Sequence, residues 1–397
     1  MNLCERLSRA ALHLALAGAA LAAPLAQAAD AGPIKIGLIL PMTGQQASTG
    51  RQIDAAVKLW MAQNGNKVAG RPVEVILKDD AAVPDTTRRL AQELIVNDKV
   101  AVLAGFGITP TALATAPLGT QSKTPMVVMA AATSSITQAS PFFIRTSFTL
   151  PQVTVAIADW AAKNGIKKAI SLVADYGPGF DAEKFFDSQF RLNGGQVLDK
   201  LRTPLRSPDF APVLQKVADA KPDALFVFLP SGQGATFMKQ FAERGLDKSG
   251  VRLIATGDVT DDDQLADMGE VATGVVNSHH YSAAHPSETN KKFVKAFEAA
   301  NKFRPNFMAV GGYDGMRVIF KALEATKGEG GEKLLEAMKG QIFESPRGPV
   351  LIDAQTRDIV QDVYIRKVER VPAMNNGLYN VEFDVIKAVK DPGKAKP

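Results

Sequence analysis

Short β-forming apolar runs alternating with stretches of helical spacing occur in two successive sets of four, and this repetition constrains the fold more than any other feature. The first set comprises 34–40, 73–78, 100–104 and 126–129, with amphipathic stretches near 52–64, 85–97 and 111–121 between the runs. The second comprises 169–174, 197–201, 224–229 and 252–255, separated by helical stretches near 151–164, 180–193, 209–219 and 233–244. Strands that alternate with helices build parallel sheets covered on both faces. Two similar sets read more economically as two doubly wound lobes than as one eight-stranded sheet. The predicted fold class is α/β, with two parallel-sheet lobes.

Beyond the second set lie helical stretches at 288–303 and 308–326, a Gly/Glu turn at 328–332 that opens a short helix, and β-like runs at 350–353, 363–368 and 378–384. Turn chemistry at Asn375-Asn376-Gly377 separates the last two. Helices that return so late imply that the C-terminal part completes both lobes. Several interlobe crossings then make a hinge.

Residues 1–28 stand apart and read as an export signal. Arg6 and Arg9 give a positive start, 10–25 is small and apolar apart from His13, and Ala26-Gln27-Ala28 fits an A-x-A cleavage site. No later segment approaches the roughly 18 apolar residues of a membrane span, so direct membrane insertion is not expected. Removing the signal takes away Cys4, His13, Glu5 and both arginines, leaving no thiol, three histidines and 44 Lys+Arg against 40 Asp+Glu. A disulfide scaffold, a cysteine nucleophile, a Cys-containing zinc site and a lipid-anchoring cysteine are all excluded. The slight positive excess is spread out, with one short basic run at the C-terminus (KDPGKAKP), and gives no support to a nucleic-acid partner.

Enzyme chemistry finds little material. There is no phosphate-binding G-x-x-x-x-G-K-[ST] loop, no G-x-G-x-x-G after the first strand and no G-x-S-x-G elbow. Where a dinucleotide loop would need glycine, the first strand ends in Pro41 and Met42. His279, His280 and His285 lack metal-ligand spacing and read as polar loop or hinge residues. Asp261-Asp262-Asp263 lacks the calcium-loop pattern and reads as a capped helix start. No nucleophile is paired with a base, and no metal or cofactor is expected.

A binding site remains, and parallel sheets place it at the carboxyl ends of their strands. Loops 41–50, 105–110, 130–135, 175–179, 230–234 and 256–260 lie there. In GFGITP (105–110), Thr109 sits at the expected cap position of a helix, where amide N–H groups and a hydroxyl suit a carboxylate. AAATSS (130–135) adds Thr133 and Ser134 as donors beside small side chains.

These residues resemble the leucine/isoleucine/valine type of periplasmic solute-binding proteins, which serve ABC importers. The resemblance is carried by IKIGLILPMTG (34–44), Gly50 opening the first long helix, GFGIT, AAATSSIT (130–137), FIRT (143–146), ADYGPG (174–179), Asp209-Phe210 before a helix, PNFMAVGGYDGM (305–316) and GPVLID (348–353). It spans about 34–385. It implies a type I periplasmic binding fold whose lobes, joined by three crossovers near 145, 280 and 350, close on a ligand and dock on a membrane permease. The corresponding segments are 29–145 with 283–349 for the N-terminal lobe and 146–282 with 350–390 for the C-terminal lobe, then a basic tail at 391–397.

By the same resemblance, Thr109, Ala131 and Thr133 grip a ligand carboxylate, Tyr176 and Ser231 cover it from the second lobe, and Asp258 lies near the acid that receives an ammonium group. Apolar Phe106, Ile108 and Pro110, with DYGPG and SPRGPVLID, resemble a subgroup that takes benzoate-like acids. An apolar slot of Phe106 and Tyr176 suits a ring. The expected function is periplasmic capture of a small carboxylate, a hydrophobic amino acid or an aromatic acid, for import, without enzymatic activity. An exported hydrolase using the same cleft and a sensor feeding a signalling partner are the alternatives.

Overall fold

The alternation is present in the computed structural model, which describes residues 32–394; the signal expected over 1–28 lies outside them. The first sheet comprises Ile34–Leu40 (β1), Lys67–Val68 (β2), Arg71–Asp79 (β3), Val102–Gly105 (β4), Met126–Val128 (β5) and Phe143–Arg145 (β6). Their order is β2-β3-β1-β4-β5-β6, parallel except for β2 on β3. The crossovers are Ala47–Asn64 (α1), Pro84–Val96 (α2) and Thr109–Ser122 (α3). Central β1 (IKIGLIL) is buried along almost its whole length, as a strand covered on both faces must be.

After a single turn at Ile136–Ala139 (α4), Leu150–Lys163 (α5) carries the chain into the second lobe. There Lys168–Ala174 (β7), Gln196–Thr203 (β8), Ala224–Phe228 (β9), Arg252–Thr256 (β10) and Val276–His279 (β11) run parallel, in the order β8-β7-β9-β10-β11. Gly177–Leu192 (α6), Ala211–Ala220 (α7), Gly234–Glu243 (α8) and Leu265–Met268 (α9) connect them. One apolar cluster runs from the first sheet onto one face of the second, and another covers the second sheet's opposite face.

The chain then returns. Glu288–Asn301 (α10) and Phe307–Ala325 (α11) pack on α1, and Gly331–Met338 (α12) packs on α11. Next come Ile342–Ser345 (β12), Gly348–Ile352 (β13), Ile359–Val371 (β14) and Gly377–Val389 (β15). Strand β14 pairs with β13 through 359–361, with β11 through 364–367 and with β15 along its other edge. The β12–β13 hairpin is thus hydrogen-bonded into the second sheet, while Arg317 of α11 donates to its Glu344 carbonyl at 2.7 Å. A boundary at 349/350 falls inside this shared hairpin.

Two close approaches shape the strand ends that face the cleft. Gly105 has φ +109°, and a Cβ there would lie 2.3 Å from the Ile39 carbonyl oxygen. At Gly179 a Cβ would lie 1.8 Å from the Ala174 carbonyl oxygen, so glycine lets α6 start tightly against the end of β7.

Candidate functional site

Between the carboxyl ends of the two sheets is a narrow cavity. Its first-lobe wall comes from loops 107–109 and 130–132 with Phe148, Leu150 and Met308; Tyr176, Pro178, Phe228 and Pro230 form the second-lobe wall. The Tyr176 and Phe228 rings lie nearly parallel, with centroids 6.1 Å apart. Polar side chains interrupt this apolar slot at Gln46, Thr109, Ser231 and Asp258. Among the described residues that line it, only Tyr176 and Asp258 are titratable. Burial, and after it the Asp258 charge, pushes the Tyr176 phenol well above its ordinary value, so it stays protonated.

Five of the seven residues singled out in the sequence reach the cavity wall: Thr109, Ala131, Tyr176, Ser231 and Asp258. Thr133 stands directly behind, its Oγ1 2.8 Å from Thr109 Oγ1. Phe106 does not reach the slot. Its φ of +63° accompanies a ring buried in the first-lobe core, edge-on to Phe143 at 6.1 Å. The expected Phe106 wall is therefore replaced by Phe148 and Phe228. Nor is Thr109 the helix cap: Ile108, in an extended conformation, takes that place and Thr109 is the first residue of α3. Its amide has no acceptor within the helix and can serve an anion.

The loop that carries Ala131 and Thr133 is held by a residue whose role the sequence did not disclose. Arg145, fully buried, donates to the carbonyls of Ala131 (2.7 Å), Thr133 (2.7 Å) and Phe148 (3.1 Å), and pairs with Asp358 at 2.7 Å. One guanidinium thus satisfies three carbonyls that turn toward it. The signal was present in FIRT (143–146), as an arginine inside an apolar strand.

Contacts across the cleft join the lobes. The Ser134 amide donates to Asp181 at 2.8 Å, Ser48 donates to Asp263 at 3.1 Å, and a Cβ on Gly177 would lie 2.8 Å from Thr133 Oγ1. The acidic run expected to cap a helix does something else. Asp261 accepts from Ser231, Asp262 accepts from Asn380 at 3.1 Å, and Asp263 accepts from Asn306 at 3.0 Å. The helix that follows begins only at Leu265, with no side-chain cap. Burial, and then the Asp263 charge, pushes Asp261 well above the usual carboxylate range.

His279 and His280, expected as polar loop or hinge residues, are both fully buried where the strand Val276–His279 ends. The His279 ring packs against Phe148 (4.6 Å) and Phe307 (4.2 Å), and its Nε2 lies 3.4 Å from Asp258 Oδ2. Burial outweighs the attraction of Asp258 and lowers His279 to about 4, while His280 falls well below its usual value. Both are neutral at pH 7. An unfolded histidine titrates near 6.5, so between pH 6.5 and about 4 the unfolded chain binds protons that the folded one refuses. The stability that His279 confers at neutral pH is therefore lost as pH falls through that window. Asp261, Asp262 and Asp314, whose values are raised, bias the other way, so the comparison must be between variants. From pH 6.5 to 5, denaturant titrations should show the wild type losing about 2 kcal/mol more than His279→Phe.

Two lobes of this topology, with a part-apolar slot between their strand ends and loops that meet across it, define a protein that encloses a small solute. The family model for periplasmic binding proteins matches residues 33–376, and the chain belongs to that family. The Leu/Ile/Val-binding protein homolog 6 of Brucella melitensis biotype 1 is 43% identical over 385 residues, covering 96% of this chain and 98% of that protein. A solute-binding protein of an ABC transporter from Rhodopseudomonas palustris BisB5, solved in complex with 3,4-dihydroxybenzoic acid, is 61% identical with a TM-score of 0.90. That match covers 91% of this chain and 99% of the solved one. Another from R. palustris, in complex with 4-hydroxybenzoate, is 41% identical with a TM-score of 0.89, covering 92% and 100%.

Proposed function

We propose that this protein is the solute-binding component of an ABC importer, exported by its 1–28 signal to the periplasm, and that its solute is an aromatic carboxylate. The observation that carries this reading is the cavity itself. It is a flat apolar slot between Tyr176 with Phe228 and the 130–132 loop, and it contains no cationic side chain among the described residues. A carboxylate is then held by the Thr109 and Thr133 hydroxyls and the first amide of α3, with Ala131 allowing close approach. Tyr176 and Ser231 cover the ring from the second lobe, and rotation about the crossovers closes the lobes on it. Kinship with proteins solved on hydroxybenzoates supports an aromatic ligand. The closed protein is what a membrane permease would receive.

One observation favours a hydrophobic amino acid instead. Asp258 is a buried carboxylate at the cavity wall and would pair with an ammonium group. A thermal-shift panel separates the two readings, since a ligand that binds only the folded state stabilises it by roughly 2.7 kcal/mol at a hundredfold excess over Kd. Benzoate derivatives should raise Tm by several degrees and leucine, isoleucine and valine should leave it unmoved. A rise with the amino acids alone would replace this reading with the amino-acid one.

A further inference from the structure

The segment that reads in the sequence as a basic tail is seated on the loop that carries Ala131 and Thr133. Strand β15 belongs to the second sheet, and Gln152 of α5 takes its last carbonyl, that of Val389, at 2.8 Å. Past this point the chain turns tightly at Pro392–Lys394 and meets the first lobe. Asp391 is buried; its Oδ2 accepts the Ser134 hydroxyl at 2.6 Å and its Oδ1 the Gly393 amide at 2.9 Å. Lys394, its side chain 8% exposed, donates from Nζ to Thr137 Oγ1 and to Asp358 Oδ2, both at 2.7 Å. A Cβ on Gly393 would lie 2.7 Å from the Ser134 Cβ, so glycine is what lets the turn seat this closely. The whole turn lies beyond residue 376, where the match to the family model ends.

An ammonium leaves water only where charges and hydrogen bonds replace its hydration, so Lys394 fixes the turn in one place. The loop is then held twice. Arg145 takes the carbonyls of Ala131 and Thr133, while the turn takes the hydroxyls of Ser134 and Thr137. Asp358 joins the two holds, because it pairs with Arg145 through Oδ1 and with Lys394 through Oδ2. Thr133 is therefore fixed through its own carbonyl and through its neighbour's side chain.

Resting on the reading that this loop grips the ligand, we propose that residues 391–394 are a strap that keeps the loop in its binding shape, with Asp391 and Lys394 as positioning residues. None of the four lines the cavity, and the strap acts through Ser134, Thr137 and Asp358. Without it the ligand must order the loop itself, and apparent affinity falls by the fraction of time the loop is out of shape.

The test joins two measurements on the wild type, Lys394→Met, Gly393→Ala and Lys394→Arg: calorimetric titration with 3,4-dihydroxybenzoate, and hydrogen exchange of the ligand-free proteins read by mass spectrometry. Lys394→Met leaves Asp358 its Arg145 and Thr137 partners, and Gly393→Ala keeps every charge, so one serves where the other does not fold. In both, exchange over 130–140 should quicken while exchange over 34–40 stays as in the wild type. A loop in its binding shape a tenth of the time raises Kd about tenfold. Lys394→Arg, which keeps the cation, should retain most of the affinity. Unchanged exchange over 130–140, equal quickening in both segments, or an unchanged Kd beside a quickened loop overturns the strap. A wild type that ignores the aromatic acid overturns the aromatic reading and not the strap, which is then judged on L-leucine affinity and on exchange.

Discussion

Arg347→Ala is expected to lower the stability of the ligand-free protein by about 3–5 kcal/mol, the largest single-residue effect anticipated here. Arg347 is fully buried where the hairpin and β14 meet the start of the second lobe. Its Nε and Nη2 donate to Asp314 at 3.0 and 2.7 Å, Nη1 donates to the Ser147 carbonyl at 2.9 Å and to Gln361 at 2.8 Å, and Nη2 also reaches the Thr146 carbonyl at 2.7 Å. Burial opposes ionisation of both partners, lowering the arginine and raising Asp314, and their mutual attraction offsets it. Truncation leaves a buried carboxylate with Ser345 as its remaining partner and two hinge carbonyls without Arg347. Removing both charges together, as Asp314→Leu with Arg347→Met, should recover more than half of the loss, because no lone charge stays behind. Denaturant titration measures both, and a loss below about 1 kcal/mol for the single variant would show that the pair does not pin the hinge.

The second large effect falls on binding. Thr133→Val keeps the volume and removes the hydroxyl, so an aromatic carboxylate should bind about 10–100-fold more weakly, the worth of a hydrogen bond to a charged group. Thr133→Ser should retain most of the affinity. The Thr109→Val, Thr133→Val pair should fall short of the product of the two single losses, since the hydroxyls lie 2.8 Å apart and share one anion. Wild-type affinity in Thr133→Val would place the carboxylate elsewhere in the cavity.

Why some features were legible in the sequence and others were not follows from the range of the forces involved. Strand and helix positions come from local periodicity: 169–174 was expected as a strand and Lys168–Ala174 is one. The loops at the carboxyl ends follow from topology, which is why Thr109, Ala131, Tyr176, Ser231 and Asp258 meet at one cavity. Side-chain direction does not follow from periodicity. Phe106 and Phe148 are equally apolar, yet Phe106, on a left-handed backbone, is a core ring while Phe148 lines the cavity. Buried polar groups were least legible. His279 and His280 read as loop or hinge residues and Asp261–Asp263 as a capped helix start because their composition is polar, yet His279, His280, Asp261 and Asp262 are buried, with contacts to chain more than a hundred residues distant, such as Asn380 beside Asp262. Arg145 was visible as part of a motif, but its three carbonyl acceptors lie on chain that only the folded lobe brings together.

The central claim is that the interlobe cavity takes an aromatic carboxylate. Isothermal titration of the ligand-free protein with 3,4-dihydroxybenzoate, then with L-leucine on a fresh sample, tests it most directly. The aromatic acid should bind one-to-one with a Kd of roughly micromolar or below, and leucine should give no binding heat at millimolar concentration. Saturable one-to-one binding of leucine with no heat from the aromatic acid would contradict the claim.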